Sequence, residues 1–337
     1  MSTACPADYA CDPARLKRPP DLPAETLYVI GGLYGNPEAL EALLARQARE
    51  ERTGGPVTLV FNGDFHWFDV QPGAFRQVGE AVLAHAALRG NVEAELARDG
   101  GGMDCGCSYP DYVEPGVAER SNAIFARLAA TAAADPAQRA RLAGLPLHLV
   151  AEVGGRRIAI LHGDPESLAG WRLAEEALAA LDASDGAAPQ AGVPQTPAAQ
   201  VAQWFRRAGA DAFATTHTCL PFARDLLVDG RPRLLINNGS AGMPNFRGLR
   251  SGLITRISAR PEVPLDSLYG IALGGVRYDA LPIAYDHERW LRRFLADWPP
   301  GSPAHLSYHG RIVDGPGYTL AQAVRGRVQG AGLLRSA

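Results

Sequence analysis

The sequence is poor in cysteine for its size: five in 337 residues are too few to staple a fold, and the odd count leaves at least one thiol free or metal-bound. It also lacks an excess of positive charge. Lys plus Arg number 33 against 36 Asp plus Glu, a formal charge of -3, which argues against a surface built to hold a nucleic-acid backbone. No window offers the run of about 18 apolar residues that a bilayer crossing needs, and the opening segment MSTACPADYACDPARLKRPP lacks the apolar stretch of a secretory signal. The expected address is the cytoplasm, with neither a membrane nor a nucleic acid as partner. What is present is apolar material for a large core, 47% hydrophobic against 20% charged residues. The length suits about two domains or one large α/β domain.

Residues 26 to 31 (TLYVIG) read as a strand, GLYGN as a turn, and PEALEALLARQAREE as a helix with Leu40, Leu43 and Leu44 on one face. PVTLVFNGD repeats the strand signal. A helix is expected over about Gln77 to Leu88, and helical sequence over about 117 to 145. LHLVAEVGG and RRIAILHGD form a hairpin signal around Gly154 and Gly155. A helix is expected at about 166 to 182, then a mobile loop at about 183 to 199, rich in Ala, Pro and Gly. Further strands are expected in DAFATTH, in RPRLLIN and between Leu253 and Tyr278. In AYDHERWLRRFLADW, Trp290, Leu291, Phe294 and Leu295 share one helix face, turned to the core or to a second copy in a homo-oligomer. His305 and His309 are four apart, but flanking Gly and Pro argue against a helix there. The alternation of strands and helices points to α/β layers around a sheet. The expected organisation is an N-terminal tail (1–25), a main domain (26–260) and a C-terminal extension (261–337) packed on it.

Four apolar runs end in groups that bind metals: PVTLVFNGD in Asp64, the segment before RGN in Asn91, RRIAILHGD in His162 and DAFATTH in His217. Ligands in open α/β sheets gather beyond the carboxyl ends of strands, so these residues are expected to converge. One carboxylate, one carboxamide and two imidazoles suit a divalent transition metal such as Mn, Fe or Zn better than Ca or Mg.

GD, GN-x-E, HGD, TH-T-C-x-P and NNGS occur in the order used by the calcineurin-like metallophosphoesterases, and over about residues 26 to 260 the chain resembles that family. The resemblance implies a layered sandwich of two facing mixed β-sheets flanked by helices, with a metal centre at their tips. Asp64 is similar to the family's bridging carboxylate, Asn91 to its GN asparagine, His162 to its isolated ligand histidine and His217 to the first histidine of GH-T-H. The other metal's ligands are replaced: Gly32 stands for an aspartate, Tyr34 for a histidine and Cys219 for the second histidine of GH-T-H. A single-ion site is therefore expected, with Tyr34 and Cys219 in or near the vacated place. Val92 fills the position of the family's proton-donating histidine, so His66, two residues beyond Asp64, is the candidate general acid. Glu93 and Asp164 are candidates to orient the ligand imidazoles. Asn238 and Gly239 of NNGS, with Arg247 and Arg250 after them, are candidates to hold phosphate.

The implied activity is hydrolysis of a small phosphomonoester or phosphodiester. Two rivals stand beside it: a non-catalytic binding or regulatory protein on the same fold, and a redox or soft-metal protein using Cys219 and the Cys105-x-Cys107 loop. A shared site of Cys5, Cys11, Cys105 and Cys107 is a further option, although C-x5-C and C-x-C are not the usual zinc spacings.

Overall fold

The computed structural model describes residues 7–98, 104–185, 189–324 and 329–330. The described strands are β1 (Leu22–Ala24), β2 (Thr26–Ile30), β3 (Val57–Asn62), β4 (Ala86–Leu88), β5 (His148–Val153), β6 (Arg156–Leu161), β7 (Ala212–Thr215), β8 (Phe222–Val228), β9 (Arg231–Asn237), β10 (Gly252–Ser258), β11 (Tyr269–Leu273), β12 (Val276–Ile283) and β13 (Gln329–Gly330). They form two mixed sheets, ordered β1-β5-β6-β7-β9-β8 and β13-β11-β12-β10-β2-β3-β4. Between them lies an apolar layer in which Val29 and Leu27 of one sheet meet Ile158 and Ile160 of the other, all fully buried. Each such side chain contributes roughly 1.5–3 kcal/mol when removed from water.

Helices cover the outer faces: α1 (Pro37–Gly54), α2 (Pro72–Val82), α3 (Asn91–Ala97), α4 (Pro115–Ala133), α5 (Pro136–Ala143), α6 (Ala198–Ala208), α7 (His287–Asp297), α8 (Pro303–Asp314) and α9 (Leu320–Ala323). The side chain of Asn36 caps α1 by accepting from the Ala39 amide, with Pro37 in the first turn, where its missing N–H leaves no gap. Trp290 and Phe294 of α7 are buried in the core beside Phe68, which makes the stripe core-facing. No helix among the described residues is long and apolar enough to cross a membrane.

Several expectations need correction. The helix expected to reach Leu88 ends at Val82, and Ala86–Leu88 pairs with β3 as a strand, because tertiary pairing overrides local helix propensity there. Residues expected to be helical at 166 to 182 form turns and a 3-10 segment, Glu176–Asp185. The loop that follows is held where it is described: Thr196 Oγ1 donates to the Arg172 carbonyl at 2.6 Å. Residues 1–25 are more than a tail, since β1 pairs in parallel with β5. His305 and His309 do lie on a helix, α8, with rings stacked 4.5 Å apart. The proline and glycine taken as breakers are its punctuation: Ser302 caps it, Pro303 opens it and Gly315 follows its end.

Candidate metal centre and pocket

The centre forms where the carboxyl ends of both sheets face each other. β3 ends at Asn62, and the chain turns sharply through Gly63 (φ 78°) and Asp64 (φ 52°). A Cβ on Gly63 would stand 2.4 Å from the Gly90 amide, and one on Gly90 would stand 2.2 Å from Asp64 Oδ1. Only glycine at both positions lets the two loops approach closely enough to bring Asp64 beside Asn91. From the other sheet, His162 follows β6 and His217 follows the parallel neighbour β7, so their rings lie 5.1 Å apart.

His162 Nε2 lies 3.3 Å from Asp64 Oδ2, 3.1 Å from Asn91 Oδ1 and 3.3 Å from His217 Nδ1. The opposite edges of the rings fix the tautomers. His162 Nδ1 faces the Asn62 carbonyl at 2.8 Å and His217 Nε2 faces the Cys107 carbonyl at 3.2 Å, and a carbonyl only accepts. Asn91 Nδ2 donates to the Cys105 carbonyl at 2.8 Å, which turns Oδ1 inward. Electron pairs from Asp64, Asn91, His162 and His217 therefore converge on one buried point, and such a donor set fits a divalent cation. Asp64, His162 and His217 are a buried group able to bind a metal.

Burial disfavours charge on Asp64, but the adjacent His162 and then His217 outweigh it and hold the carboxyl below its usual range. Burial opposes a charge on His162 too, yet Asp64 raises its pKa. His217, buried and next to His162, is pushed down to about 3 and stays neutral, as a ligand must.

The neighbouring place is filled. A Cβ on Gly32 would stand 2.4 Å from the ring of Tyr34, so that ring occupies the space a side chain at 32 would need. The Tyr34 hydroxyl in turn contacts Cys219 Sγ, and burial raises the pKa of both groups. A protonated Cys219 is a poor ligand for a soft metal. Tyr34 and Cys219 line a cavity of about 190 Å³ that opens onto Asp64, Asn91 and His217.

Other expected residues lie elsewhere. His66 is fully buried outside the cavity: Nδ1 meets Asp69 at 2.6 Å, Nε2 meets Gln138 at 3.2 Å, and the ring stacks on Phe75. With both nitrogens engaged it is a packed turn residue with no access to a leaving group. Glu93 orients backbone instead of an imidazole, accepting from the amides of Asp64 (2.7 Å), Gly90 (2.9 Å), Phe65 (3.1 Å) and His66 (3.3 Å). Asp164 likewise holds its own turn through the amides of Glu166, Ser167 and Arg172. The amides of Asn238 and Gly239 are taken by the Thr215 carbonyl and the Asn237 side chain, so neither faces phosphate. Arg247 and Arg250 are exposed and do not line the cavity.

Cys105 and Cys107 are joined as a disulfide, which removes both thiolates from a shared metal site. Cys5 lies outside the described residues, and Cys11 donates to the Tyr9 carbonyl. Sequence reasoning missed the role of this loop: its backbone carbonyls, at Cys105 and Cys107, hold Asn91 and His217. Nothing in the C-x-C spacing signals that. It also missed Arg311, Trp67, Tyr109, Trp171 and Tyr308, which line the cavity.

The two facing mixed sheets, the helices outside them and the metal-binding group at the strand tips decide the architecture. The chain has a layered sandwich of two facing mixed sheets flanked by helices, as the resemblance to the calcineurin-like metallophosphoesterases implies. It superposes on a hypothetical protein from Pyrococcus horikoshii OT3 with a TM-score of 0.55 and 16% identity, covering 86% of this chain and 98% of that one. A metallophosphoesterase from Sphaerobacter thermophilus gives a TM-score of 0.49 at 16% identity, covering 86% of this chain and all of that one. Likeness at these identities concerns the fold. A scan against protein families finds no match, and neither does a search of curated proteins.

Proposed function

We propose that the chain is a metal-dependent phosphoesterase working with one ion, held by Asp64, Asn91, His162 and His217. The observation that supports this reading is the convergence of three inward-facing donors, Asp64 Oδ2, Asn91 Oδ1 and His217 Nδ1, within 3.1 to 3.3 Å of a fourth, His162 Nε2. A divalent ion there supplies Lewis acidity and a lowered pKa for water. Mn, Fe or Zn suits the mixed oxygen and nitrogen donors. Asp64 provides the negative charge that balances the ion, and the Asn62 and Cys107 carbonyls keep both imidazoles in the ligating tautomer. The substrate is a small phosphoester, whether mono- or diester, reaching the centre through the 190 Å³ cavity.

Elemental analysis of the purified protein and of His162→Ala and His217→Ala tests this reading, together with turnover of p-nitrophenyl phosphate and bis(p-nitrophenyl) phosphate under Mn, Fe and Zn. The expected result is about one metal per chain and loss of metal and turnover in both variants; undiminished metal in the variants would refute it. The Tyr34 ring over Gly32 supports a second reading, a phosphoester-binding protein without turnover. Full metal content with no hydrolysis of either ester would favour that.

A further inference from the structure

Among the described residues, Arg311, on α8, is the one Arg or Lys that lines the cavity over the candidate centre. Its Nε donates to the Pro244 carbonyl at 3.1 Å, and Nη2 donates to the Cys219 carbonyl at 3.1 Å and the Ser240 hydroxyl at 3.4 Å. Those acceptors are neutral, and no ion pair among the described residues includes Arg311. They fix the guanidinium in place while leaving its charge uncompensated. A larger cleft of about 770 Å³ near the other end of β2 makes the contrast: there Arg46, Arg256 and Arg260 are paired with Asp266, Glu50 and Glu25.

A second group points into the same cavity chemistry. Trp67 is only 3% exposed and lines the cavity, and its indole N–H, which interacts with the Tyr308 hydroxyl, makes no well-aligned hydrogen bond. A buried donor without a well-placed acceptor is unfavourable, and an oxygen of a bound molecule would complete it. Beside Val92, Cys107 and Thr218, the rest of the wall is aromatic. Tyr109 and Trp171 are half-buried with ring centroids 5.6 Å apart, Trp171 meets His217 edge-on at 5.2 Å, and Tyr308 stands one helical turn before Arg311.

We propose that Arg311 and Trp67 bind the charged oxygens of the phosphoester and that Tyr109, Trp171 and Tyr308 bind a planar aromatic group attached to it, so that the site prefers aryl or nucleoside phosphoesters. A planar guanidinium with an indole donor matches phosphoryl oxygens, and aromatic faces recognise a flat ring. The substrate class rests on the phosphoesterase reading; the binding residues stand without it.

Calorimetric titration of the purified protein with phenylphosphonate, adenosine 5′-monophosphonate analogues and methylphosphonate, whose C–P bonds resist hydrolysis, tests the proposal. The aromatic probes should bind about tenfold tighter than methylphosphonate, since ring stacking adds to the apolar area that the ring buries. Arg311→Met should weaken every probe by about tenfold or more, and Tyr308→Leu should reduce the aromatic preference alone. Equal affinity for methyl and aromatic probes, or unchanged affinity in Arg311→Met, would overturn it. If Arg311→Met fails to fold, Arg311→Lys takes its place: it keeps the charge but loses the fork, so weaker binding is expected and equal binding sinks the proposal. Metal content measured on the same samples separates the two readings. A metal-free chain that binds phenylphosphonate through Arg311 keeps this inference and loses the phosphoesterase, whereas one metal per chain with an indifferent Arg311 does the reverse.

Discussion

The Tyr34 hydroxyl lies 2.6 Å from the Cys219 sulfur, which joins two positions where the family resemblance implies histidine ligands. Gly32, where it implies an aspartate, lies beneath the Tyr34 ring. The three departures form one packed unit. Gly32→Asp alone should therefore overpack, lowering stability by about 1–3 kcal/mol, measured as a shift in thermal denaturation. Combining Gly32→Asp, Tyr34→His and Cys219→His should relieve the clash and raise metal content from about one to about two per chain by elemental analysis. A destabilised triple variant with unchanged metal content would show that the place is closed for other reasons.

Glu93 sits at the junction of the two ligand loops, and the prediction for it follows from its four backbone partners. Glu93→Gln keeps the size but replaces one acceptor oxygen with a donor that faces amides. Loss of stability of about 1–3 kcal/mol is expected, with weaker metal uptake because Asp64 and Gly90 are no longer held together. Urea denaturation and metal titration read the two effects separately. Unchanged midpoints would mean that the loops hold themselves.

The sequence made the strand tips legible because each ligand follows an apolar run and stands in a short motif; Asp64, His162 and His217 are brought together as expected. Reach and partners were not legible. His66, two residues from the left-handed turn at Asp64, is buried in the core, where Phe75 and Gln138 meet its ring. Arg311 is 220 residues beyond Asn91 in a segment whose Gly and Pro read as breakers, so nothing local tied it to the cavity. Helix caps and helix breakers use the same residue types, and only the position relative to the helix ends separates them.

His66 yields its own test. Since Asp69 and Gln138 engage both ring nitrogens, His66→Leu should act on stability, with a loss of about 1–3 kcal/mol from stranded polar partners. In samples that remain folded, kcat on p-nitrophenyl phosphate should stay within about threefold of the parent. A fall of about a hundredfold or more in kcat with an unchanged Tm would restore His66 as a proton donor.

The Cys105–Cys107 loop holds Asn91 and His217 through its carbonyls, and Trp171 Nε1 donates to the Cys107 carbonyl as well at 3.0 Å. Reduction by a dithiol, which takes the disulfide to two thiols and leaves the dithiol oxidised, frees this loop. Metal affinity should then fall by about 10–100-fold, the usual effect of losing partners that orient ligands. Cys105→Ser with Cys107→Ser should give the same affinity without reductant. Equal metal affinity in oxidised, reduced and double-serine protein would show that Gly106 and its neighbours hold the loop without the bond.

Two histidines remote from the centre add to the acid limb of stability that the buried His217 also shapes. Burial, and then the nearby Arg18, holds His148 below its ordinary pKa of 6.5, and burial does the same to His85. The unfolded chain takes up these protons near 6.5, whereas the folded chain refuses them until the pH is lower. Their contribution is therefore fully present above 6.5 and declines as the pH falls through that value toward the folded-state pKa values. Urea midpoints measured from about pH 7 down to about pH 5 should fall for the parent and fall less steeply for the His85→Gln, His148→Gln double variant. Both imidazoles lie away from the metal-binding cluster, so metal content should be the same in the two proteins at pH 7. If the parent and the double variant lose stability in parallel, the acid limb belongs to His217 and to carboxylates such as Asp266, whose pKa is lowered by its hydrogen bond to Arg46, and not to these two rings.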